Sequence, residues 1–394
     1  MHRLSKLVFV LVLALALVGQ FAAAAPKTIT ITVNNGPSEG DEEKIRIMRA
    51  KIARFNKKYP HIKVITDPWI FSAESFAVRF AGRTETDIIG IAATEMVSMA
   101  ENGYAADITA PMKKWKFYKD LELNFMSAAM RDGRIFGIPT HGYVMGLLYN
   151  KKLFKRAGIV DAKGEAKPPT TWEEFVEAAV KLTNRQKNQA GFGIMGTDRQ
   201  GGWQTLNWVW QAGGDFERKV GGKWKAVFNE PEAVKAFEFI KDLRWKYDCL
   251  QPNVMVNAEK MFPLFAAEKV AMFMGTPEWI PVIVDKYGGN LADIGLALLP
   301  AGPAGYANQM GGICVFVSSH VTDPAKLDAC FKWMTFEFEL SEREEDCRTR
   351  LAQKQLVGIP ETFLFKPEAR RQYDRVIDKY RNFPKYEDYL NNAG

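Results

Sequence analysis

The sequence predicts a protein of the α/β class. Segments with the pattern of strands and segments with the pattern of helices alternate repeatedly along the chain, the order that produces parallel sheets flanked by helices. The 394 residues, 25% of them charged and 12% aromatic, form a globular balance with room for two or three domains. This composition excludes a disordered chain, a collagen and a coiled coil.

The N-terminus predicts a secretory signal peptide over residues 1–24. Arg3 and Lys6 precede an unbroken apolar run over 7–18, which leads into a stretch of alanines. The run is shorter than the roughly 20 apolar residues that a membrane-spanning helix requires, so we prefer a cleaved signal to an uncleaved anchor. We therefore expect an exported, periplasmic or extracellular protein.

The first elements of the mature chain form a β–α–β unit. Residues 27–34 alternate Thr with Ile and Val, residues 41–58 place apolar side chains on one helical face, and 62–66 is strand-like again. Such a unit implies parallel strands joined by a right-handed crossover. Further elements are predicted as a helix over about 72–82, a strand over 87–91 and a helix from about Thr94.

The same alternation continues through the rest of the chain. Thr171 and Glu174 form a capping box that opens a helix. Gly221-Gly222 marks a hairpin, and Pro231 begins a long helix. His141-Gly142-Tyr143 is predicted to connect two strands. The strands are expected at 134–139, 144–150, 216–220, 223–228, 270–274, 294–299 and 313–317, and the chain after Asp323 is expected to be mostly helical.

The sequence matches two catalytic motifs, but neither match has the structural context that its chemistry requires. Gly36-Pro-Ser-Glu-Gly40 fits the nucleophile elbow of hydrolases, yet it follows the first strand, so no earlier loop can supply an oxyanion donor. We prefer a loop in which Ser38 or Asp41 caps the next helix. Gly191-Phe-Gly-Ile-Met-Gly196 fits the dinucleotide fingerprint, but its glycines lie inside the predicted strand. Neither a hydrolase nor a nicotinamide or flavin protein is expected.

Cysteine, histidine and charge give no sign of a cofactor. Four cysteines in an exported chain form up to two disulfides or remain buried thiols, and the sequence leaves both open. The histidines are scattered without metal-ligand spacing, so neither a metal nor another cofactor is expected. Removal of Arg3 and Lys6 with the signal peptide lowers the formal net charge from +7 to +5, and this charge is spread over helices of mixed sign, so no nucleic-acid surface is predicted.

An ordered series of segments extends over nearly the whole mature chain. The segments are Gly82 with Thr86-Asp-Ile-Ile89, Ala100-Glu-Asn-Gly-Tyr104, Asp132-Gly-Arg-Ile-Phe-Gly-Ile-Pro139, Leu148-Tyr-Asn-Lys-Lys-Leu-Phe-Lys-Arg-Ala-Gly-Ile159, Pro169-Thr-Thr-Trp-Glu-Glu-Phe175, Phe228-Asn-Glu-Pro-Glu-Ala233, Ala271-Met-Phe-Met-Gly275 with Trp279, and Leu299-Pro-Ala-Gly-Pro303. Together they resemble the extracellular solute-binding proteins of ABC importers, in particular the sugar-binding family that includes the maltodextrin-binding proteins. One departure is that Trp279 lies further from Gly275 than the family's tryptophan usually does.

The resemblance implies two discontinuous α/β lobes, each a mainly parallel sheet flanked by helices, with the ligand in the cleft between them. It places 25–142 and 297–318 in the N-terminal lobe and 143–296 and 319–394 in the C-terminal lobe. It also implies a monomer that captures a carbohydrate by hinge closure and passes it to the permease of an ABC transporter.

The candidate ligand contacts follow from the rule that open α/β sheets bind beyond the carboxyl ends of their strands. A neutral sugar has apolar faces, which aromatic rings cover, and hydroxyls, which planar polar groups bind. Trp203, beside Gly201-Gly202 in an expected loop, is the leading candidate, while Trp172, Trp208, Trp210 and Trp245 are assigned to packing. The candidates are Asn35, Glu39, Trp69, Thr94, Glu95, His141, Tyr143, Asp198, Arg199, Trp203, Glu278, Trp279, and Gly311 with Gly312, whose role is to permit close backbone approach.

The alternative from another class is a secreted carbohydrate-active enzyme that uses paired carboxylates such as Glu95 and Glu278. A third alternative is a sensor protein that binds the same solute without taking part in transport. It differs from the transport protein only in its partner. The family also takes up polyols and glycerol phosphates, but no basic cluster marks a phosphate site. This favours a neutral ligand.

Overall fold

The computed structural model describes residues 28–360, 365–386 and 389, so the predicted signal peptide lies outside the described residues. The chain divides into two compact units, and each is assembled from separate stretches of sequence. The first holds the described residues up to Ile89 together with His320–Trp333, and the second holds Gly90–Ser319 and the described residues from Met334 onward. No helix in these ranges combines the length and the apolar character needed to cross a bilayer.

The strands and helices alternate as the sequence predicts. The strands are β1 Ile29–Val33, β2 Ile62–Thr66, β3 Ile88–Ala92, β4 Met130–Arg131, β5 Arg134–Ile135, β6 Ile138–Val144, β7 Gly146–Asn150, β8 Ala190–Gly193, β9 Glu217–Val220, β10 Lys223–Ala226, β11 Val270–Gly275, β12 Ile294–Leu298 and β13 Met310–Val317. The helices are α1 Glu42–Lys58, α2 Ala73–Ala81, α3 Met96–Glu101, α4 Thr109–Lys114, α5 Leu123–Met126, α6 Lys151–Arg156, α7 Trp172–Leu182, α8 Gln200–Gln211, α9 Pro231–Trp245, α10 Ala258–Ala266, α11 Trp279–Tyr287, α12 Pro324–Phe336, α13 Leu340–Ala352 and α14 Pro367–Asp378.

The first unit begins with the predicted β–α–β unit. Strands β1 and β2 pair in parallel, and Val33 of β1 also pairs with Ile88 of β3. The helix between β1 and β2 starts at Asp41, whose side chain accepts a hydrogen bond from the Lys44 backbone N–H at 3.1 Å. The segment before α1 is therefore a capped βα loop, as we prefer on the sequence, and not a nucleophile elbow.

The second unit contains a four-stranded sheet in the order β12-β7-β11-β8. Strand β7 runs antiparallel to both of its neighbours, whereas β8 and β11 are parallel. The α/β class is confirmed, although two of the three pairings in this sheet are antiparallel. All of β8 and all of β11 are buried, which explains why their sequences are apolar without alternation. Gly191 and Gly193 lie inside β8 and not in a loop that follows it, so they do not form a dinucleotide-binding fingerprint, as the sequence predicts.

The second unit contains two further strand pairings. Strands β6 and β13 are antiparallel, and β9 and β10 form the predicted hairpin. Gly221 and Gly222 at the hairpin turn have φ values of 58° and 80°, a conformation that glycine adopts at little cost.

A cluster of aromatic rings forms the core between α7, α8 and the sheet. Trp172 stacks on Phe239 with ring centroids 4.0 Å apart, and Trp208 packs against Phe175. These contacts confirm the packing role predicted for Trp172 and Trp208. The same prediction is wrong for Trp245, which is 77% exposed. Trp245 follows the buried Leu243 by two positions, and this spacing places it on the opposite face of the helix.

The four cysteines are free, buried thiols, which is one of the two states that the sequence leaves open. Burial raises the pKa of Cys249 to about 11 and also raises the pKa values of Cys314 and Cys330. Reactivity requires an accessible thiolate, so burial suppresses access to all four thiols and also the ionisation of these three.

We expect the native protein to be inert to Ellman's reagent at pH 8, because all four thiols are buried. Denaturation in guanidinium without reductant should expose four reactive thiols per chain, the full number in the sequence. The measurement is the absorbance of the released thiolate in native and denatured samples. A count of two or none after denaturation would show that disulfides form in the exported protein.

Candidate functional site

Tyr143, Trp203 and Trp279 form a group of partly buried rings in the second unit, called here the aromatic cluster. The ring centroids of Tyr143 and Trp203 are 6.2 Å apart in an edge-on arrangement. Those of Trp203 and Trp279 are 5.6 Å apart at an angle of 47°. All three residues are candidate ligand contacts on the sequence, and the structure brings them together. The rings retain partial exposure, so the cluster is accessible to a ligand.

Trp203 lies in the first turn of α8, so the prediction that it lies in a loop is wrong. The preceding residues Asp198 and Arg199 have φ values of 54° and 64°, and the helix begins directly after them. The Trp203 N–H then donates to the Arg199 carbonyl at 3.2 Å. Gly201 and Gly202 suggest a loop on the sequence, but in the structure they are helical. The rigid helix therefore fixes the position of the indole.

Trp279 is the first residue of α11, where a strand-end loop is the sequence expectation. Its N–H donates to the Thr276 carbonyl at 3.1 Å, and its ring packs against Phe262 with centroids 5.2 Å apart. A Cβ atom on Gly275 would lie 2.7 Å from the Leu148 side chain and 2.9 Å from the Trp279 ring, so a larger residue there would push these side chains aside. These contacts fix the orientation of a ring whose spacing from Gly275 departs from the family pattern.

Tyr143 lies within β6, and so do His141 and Gly142; the prediction of a connection at these residues is wrong. The reason is the antiparallel partner β13, which extends the ladder through Gly311 opposite Tyr143 and Gly312 opposite Gly142. A Cβ atom on Gly311 would lie 2.4 Å from the Tyr143 hydroxyl oxygen. Both glycines therefore lie close to groups of β6, and the approach of a ligand to their backbone stays a prediction.

The charge of Glu278 reaches the aromatic cluster. Burial, followed by the nearby Glu278 carboxylate, raises the pKa of the Tyr143 hydroxyl, and a hydrogen bond with Trp203 partly opposes this effect. Burial also raises the pKa of Tyr389, whose hydroxyl donates to the Val144 carbonyl, with a further contribution from Glu278. A carboxylate near the Tyr143 hydroxyl is a hydrogen-bond acceptor at this cluster.

The other candidate ligand contacts of the second unit differ in their exposure and in their hydrogen bonds. Thr94 and Glu95 lie in a single 3₁₀ turn directly before α3, and Thr94 is exposed. Asp198 is exposed, but its carboxylate accepts a hydrogen bond from the Asn257 amide at 2.7 Å and so helps to hold the start of α10. Arg199 is exposed, and His141 is half-buried opposite Ile313 of β13.

The first unit contains three candidate ligand contacts, Trp69, Asn35 and Glu39. The Trp69 indole N–H donates to the Ser75 hydroxyl at 3.0 Å, and the Arg79 guanidinium lies 4.7 Å from the Trp69 ring centroid. The Asn35 N–H donates to the Trp69 carbonyl at 3.0 Å, and Asn35 itself has a φ of 56°. Glu39 is exposed in the loop before α1. The structure therefore places Asn35 and Trp69 together, and two contacts hold the indole.

Sequence reasoning missed a row of buried amides on α8. Gln204, Asn207 and Gln211 follow the i, i+3, i+7 spacing of one helical face, and this polar periodicity inside an apolar helix was the available signal. The Asn207 side-chain oxygen accepts from the Gln309 N–H at 2.7 Å, and the Gln211 oxygen accepts from the Trp172 indole at 2.9 Å. These amides hold α8 in place, and with it Trp203.

Thr276 is a second residue that the sequence analysis overlooked. Its hydroxyl is buried and has no hydrogen-bond partner within the described ranges, and the same is true of the Gln309 side-chain oxygen. Such an orphaned group costs about 1–3 kcal/mol. Thr276 immediately precedes the Pro277-Glu278-Trp279 segment that ends in the aromatic cluster. No group of His, Cys, Asp and Glu with metal-binding geometry occurs in the part of the chain that the structure describes.

An α/β fold that gathers partly exposed rings and a carboxylate at the ends of its strands and helices defines a small-molecule binding protein. The family described as "Bacterial extracellular solute-binding protein" matches residues 17–337, and the chain belongs to this family.

Among curated relatives, a protein of Brucella abortus (strain 2308) named as a binding protein is 26% identical over 249 residues. The match covers 62% of this chain and 56% of that protein, so the chain aligns with little more than half of its relative.

Solved structures show the same fold over almost the whole chain. An ABC transporter solute-binding protein of Thermotoga lettingae with bound α-D-tagatose has a TM-score of 0.69 at 21% identity and covers 91% of this chain and 89% of its own. Maltose-bound MalE3 of T. maritima has a TM-score of 0.68 at 21% identity, with 89% and 87% covered. The fold is therefore the two-lobed α/β fold of the solute-binding proteins, as the resemblance implies.

Proposed function

We propose that the protein captures a neutral carbohydrate and delivers it to the membrane permease of an ABC importer. The observation that carries the proposal is the aromatic cluster beside Glu278, since rings bind the apolar faces of a sugar and a carboxylate binds its hydroxyls. The similar structures from Thermotoga hold tagatose and maltose, which supports a saccharide of one or more rings.

The expected affinity is consistent with these groups. A micromolar dissociation constant corresponds to about −8 kcal/mol. Hydrogen bonds contribute about 1 kcal/mol each, and aromatic contacts add to the burial of the sugar faces. Two or three rings with several hydrogen bonds are therefore sufficient, and no bound cofactor enters the proposal.

The proposed mechanism is a shift between an open and a closed form. The ligand stabilises the closed form, because that form offers it more contacts than the open form does. The permease then recognises the closed form. Within this proposal the cluster and Glu278 are the principal contacts. Thr94, Glu95, His141, Asp198 and Arg199 of the second unit and Asn35, Glu39 and Trp69 of the first are further proposed contacts, and Gly311 and Gly312 shape the strand beneath Tyr143.

The predicted lobe boundaries and the cellular location are part of the same proposal. We propose the N-terminal lobe at 25–142 and 297–318 and the C-terminal lobe at 143–296 and 319–394. We also propose export by a cleaved signal peptide over residues 1–24 to the periplasm or the extracellular space, and a monomeric protein. The extracellular family supports export. Because this family is defined by solute binding, we do not propose the glycosidase that the pair Glu95 and Glu278 suggests on the sequence.

A thermal-shift screen tests the proposed function. A saccharide present at 100 times its Kd should add about 2.7 kcal/mol to the free energy of unfolding and raise the midpoint by several degrees. The panel should contain mono- to hexasaccharides, polyols and glycerol phosphate. A shift with glycerol phosphate alone would contradict a neutral ligand, and conversion of an oligosaccharide to shorter products would favour the enzyme. No shift with any saccharide would overturn the proposal.

A further inference from the structure

A cavity of about 350 Å³ lies between α8 and the β9–β10 hairpin in the second unit. Its wall contains three aromatic side chains, Trp210, Phe216 and Trp224, and three charged residues, Asp215, Glu217 and Lys225. The volume is within the range of small-molecule sites, which begins at about 300 Å³. None of these residues is among the candidate contacts that the sequence identifies.

Of the three rings around this cavity, Phe216 also packs against the core of the second unit, whereas Trp210 and Trp224 do not belong to that core. Trp224 is 65% exposed on a tight hairpin. Trp210 is half-buried, and its indole N–H donates to the Asp215 carboxylate at 3.2 Å, so its ring is fixed while one side faces the cavity. The same carboxylate oxygen accepts from the Phe216 N–H at 2.8 Å. Aromatic rings beside carboxylates and an ammonium group match the apolar faces and the hydroxyl rim of a sugar.

Helix α8 connects this cavity with the aromatic cluster. Trp203 and Trp210 are seven residues apart, so they lie on the same helical face at a separation of about 10 Å along the axis. Leu206 lies between them on that face and also lines the cavity. A separation of about 10 Å exceeds one pyranose ring. A ligand that contacts both tryptophans must therefore contain more than one sugar ring.

We propose that the cavity lined by Trp210, Phe216 and Trp224 is a second carbohydrate subsite, which binds a distal ring of an oligosaccharide whose first ring lies at the aromatic cluster. The inference rests on the proposed function and specifies its ligand as a chain of sugars. The hairpin turn at Gly221-Gly222 presents Trp224 to the outer face of that ring.

Titration calorimetry with ladders of gluco-, xylo- and manno-oligosaccharides, from monosaccharide to hexasaccharide, tests the subsite. We expect the wild-type affinity to increase with chain length. Trp224→Ala should weaken binding of the longer chains about tenfold and leave the shortest bound ligand unaffected, because a single stacking contact is lost. Trp224 is exposed, so its removal should leave the fold intact.

The matched control is Trp245→Ala, which removes an equally large and exposed indole that does not line the cavity. It should change no affinity. Equal affinity of the wild type for short and long chains, or an unchanged affinity of Trp224→Ala for the longer chains, would overturn the subsite and leave the proposed function standing. Failure of the wild type to bind any saccharide in the ladders would overturn both.

Discussion

Replacing Trp203 with alanine is expected to weaken saccharide binding by about 100-fold. The indole is the middle member of the aromatic cluster, with Tyr143 at 6.2 Å and Trp279 at 5.6 Å between ring centroids. Its loss removes one stacking surface and leaves the other two rings without their common neighbour. Centrally placed tryptophans in binding sites typically cost 2 kcal/mol or more when truncated, which corresponds to at least about 30-fold.

Two controls separate this effect from a general loss of structure. Trp203→Phe keeps an aromatic face and loses the hydrogen bond with Tyr143, so its affinity should lie between those of the wild type and the alanine variant. Thermal unfolding without ligand shows whether α8 remains folded, and calorimetry then gives the affinity. Wild-type affinity in a folded Trp203→Ala protein would show that the ligand binds elsewhere.

The residues of the cluster could be predicted from the sequence, whereas their secondary structure could not. Gly201-Gly202 argues for a loop because glycine disfavours helices by about 1 kcal/mol, yet α8 includes both residues. Packing decides the outcome, since Gln204, Asn207 and Trp208 on the same helix are buried. Tertiary contacts of this kind outweigh the local propensity of the two glycines.

The pairing of distant strands could not be predicted from the sequence either. The segment His141–Tyr143 has the polar and glycine content of a connection, but its partner β13 lies far along the sequence and turns it into a strand. The antiparallel direction of β7 also depends on partners that local periodicity does not reveal. Elements with strong local signals, such as α1 with its Asp41 cap and the Gly221-Gly222 hairpin, were predicted almost to the residue.

Adjacent glycines of β13 should respond to alanine in opposite ways. At Gly312 a Cβ atom would lie 2.1 Å from the backbone carbonyl oxygen of His141, and a backbone atom cannot move aside without separating β6 from β13. We expect Gly312→Ala to lower the free energy of unfolding by about 3 kcal/mol, as overpacking against a fixed neighbour does. The measurement is urea unfolding without ligand.

Gly311→Ala is the matched variant, because it adds the same methyl group one residue earlier in the same strand. Its Cβ atom would meet the hydroxyl end of the Tyr143 side chain at 2.4 Å, and that side chain can rotate away. Stability should therefore change little, while displacement of the ring from Trp203 should weaken saccharide binding about tenfold. Equal loss of stability in both variants would mean that Tyr143 is as immobile as the backbone. Unchanged affinity in Gly311→Ala would remove Tyr143 from the proposed site, because a ring that contacts the ligand cannot move without cost.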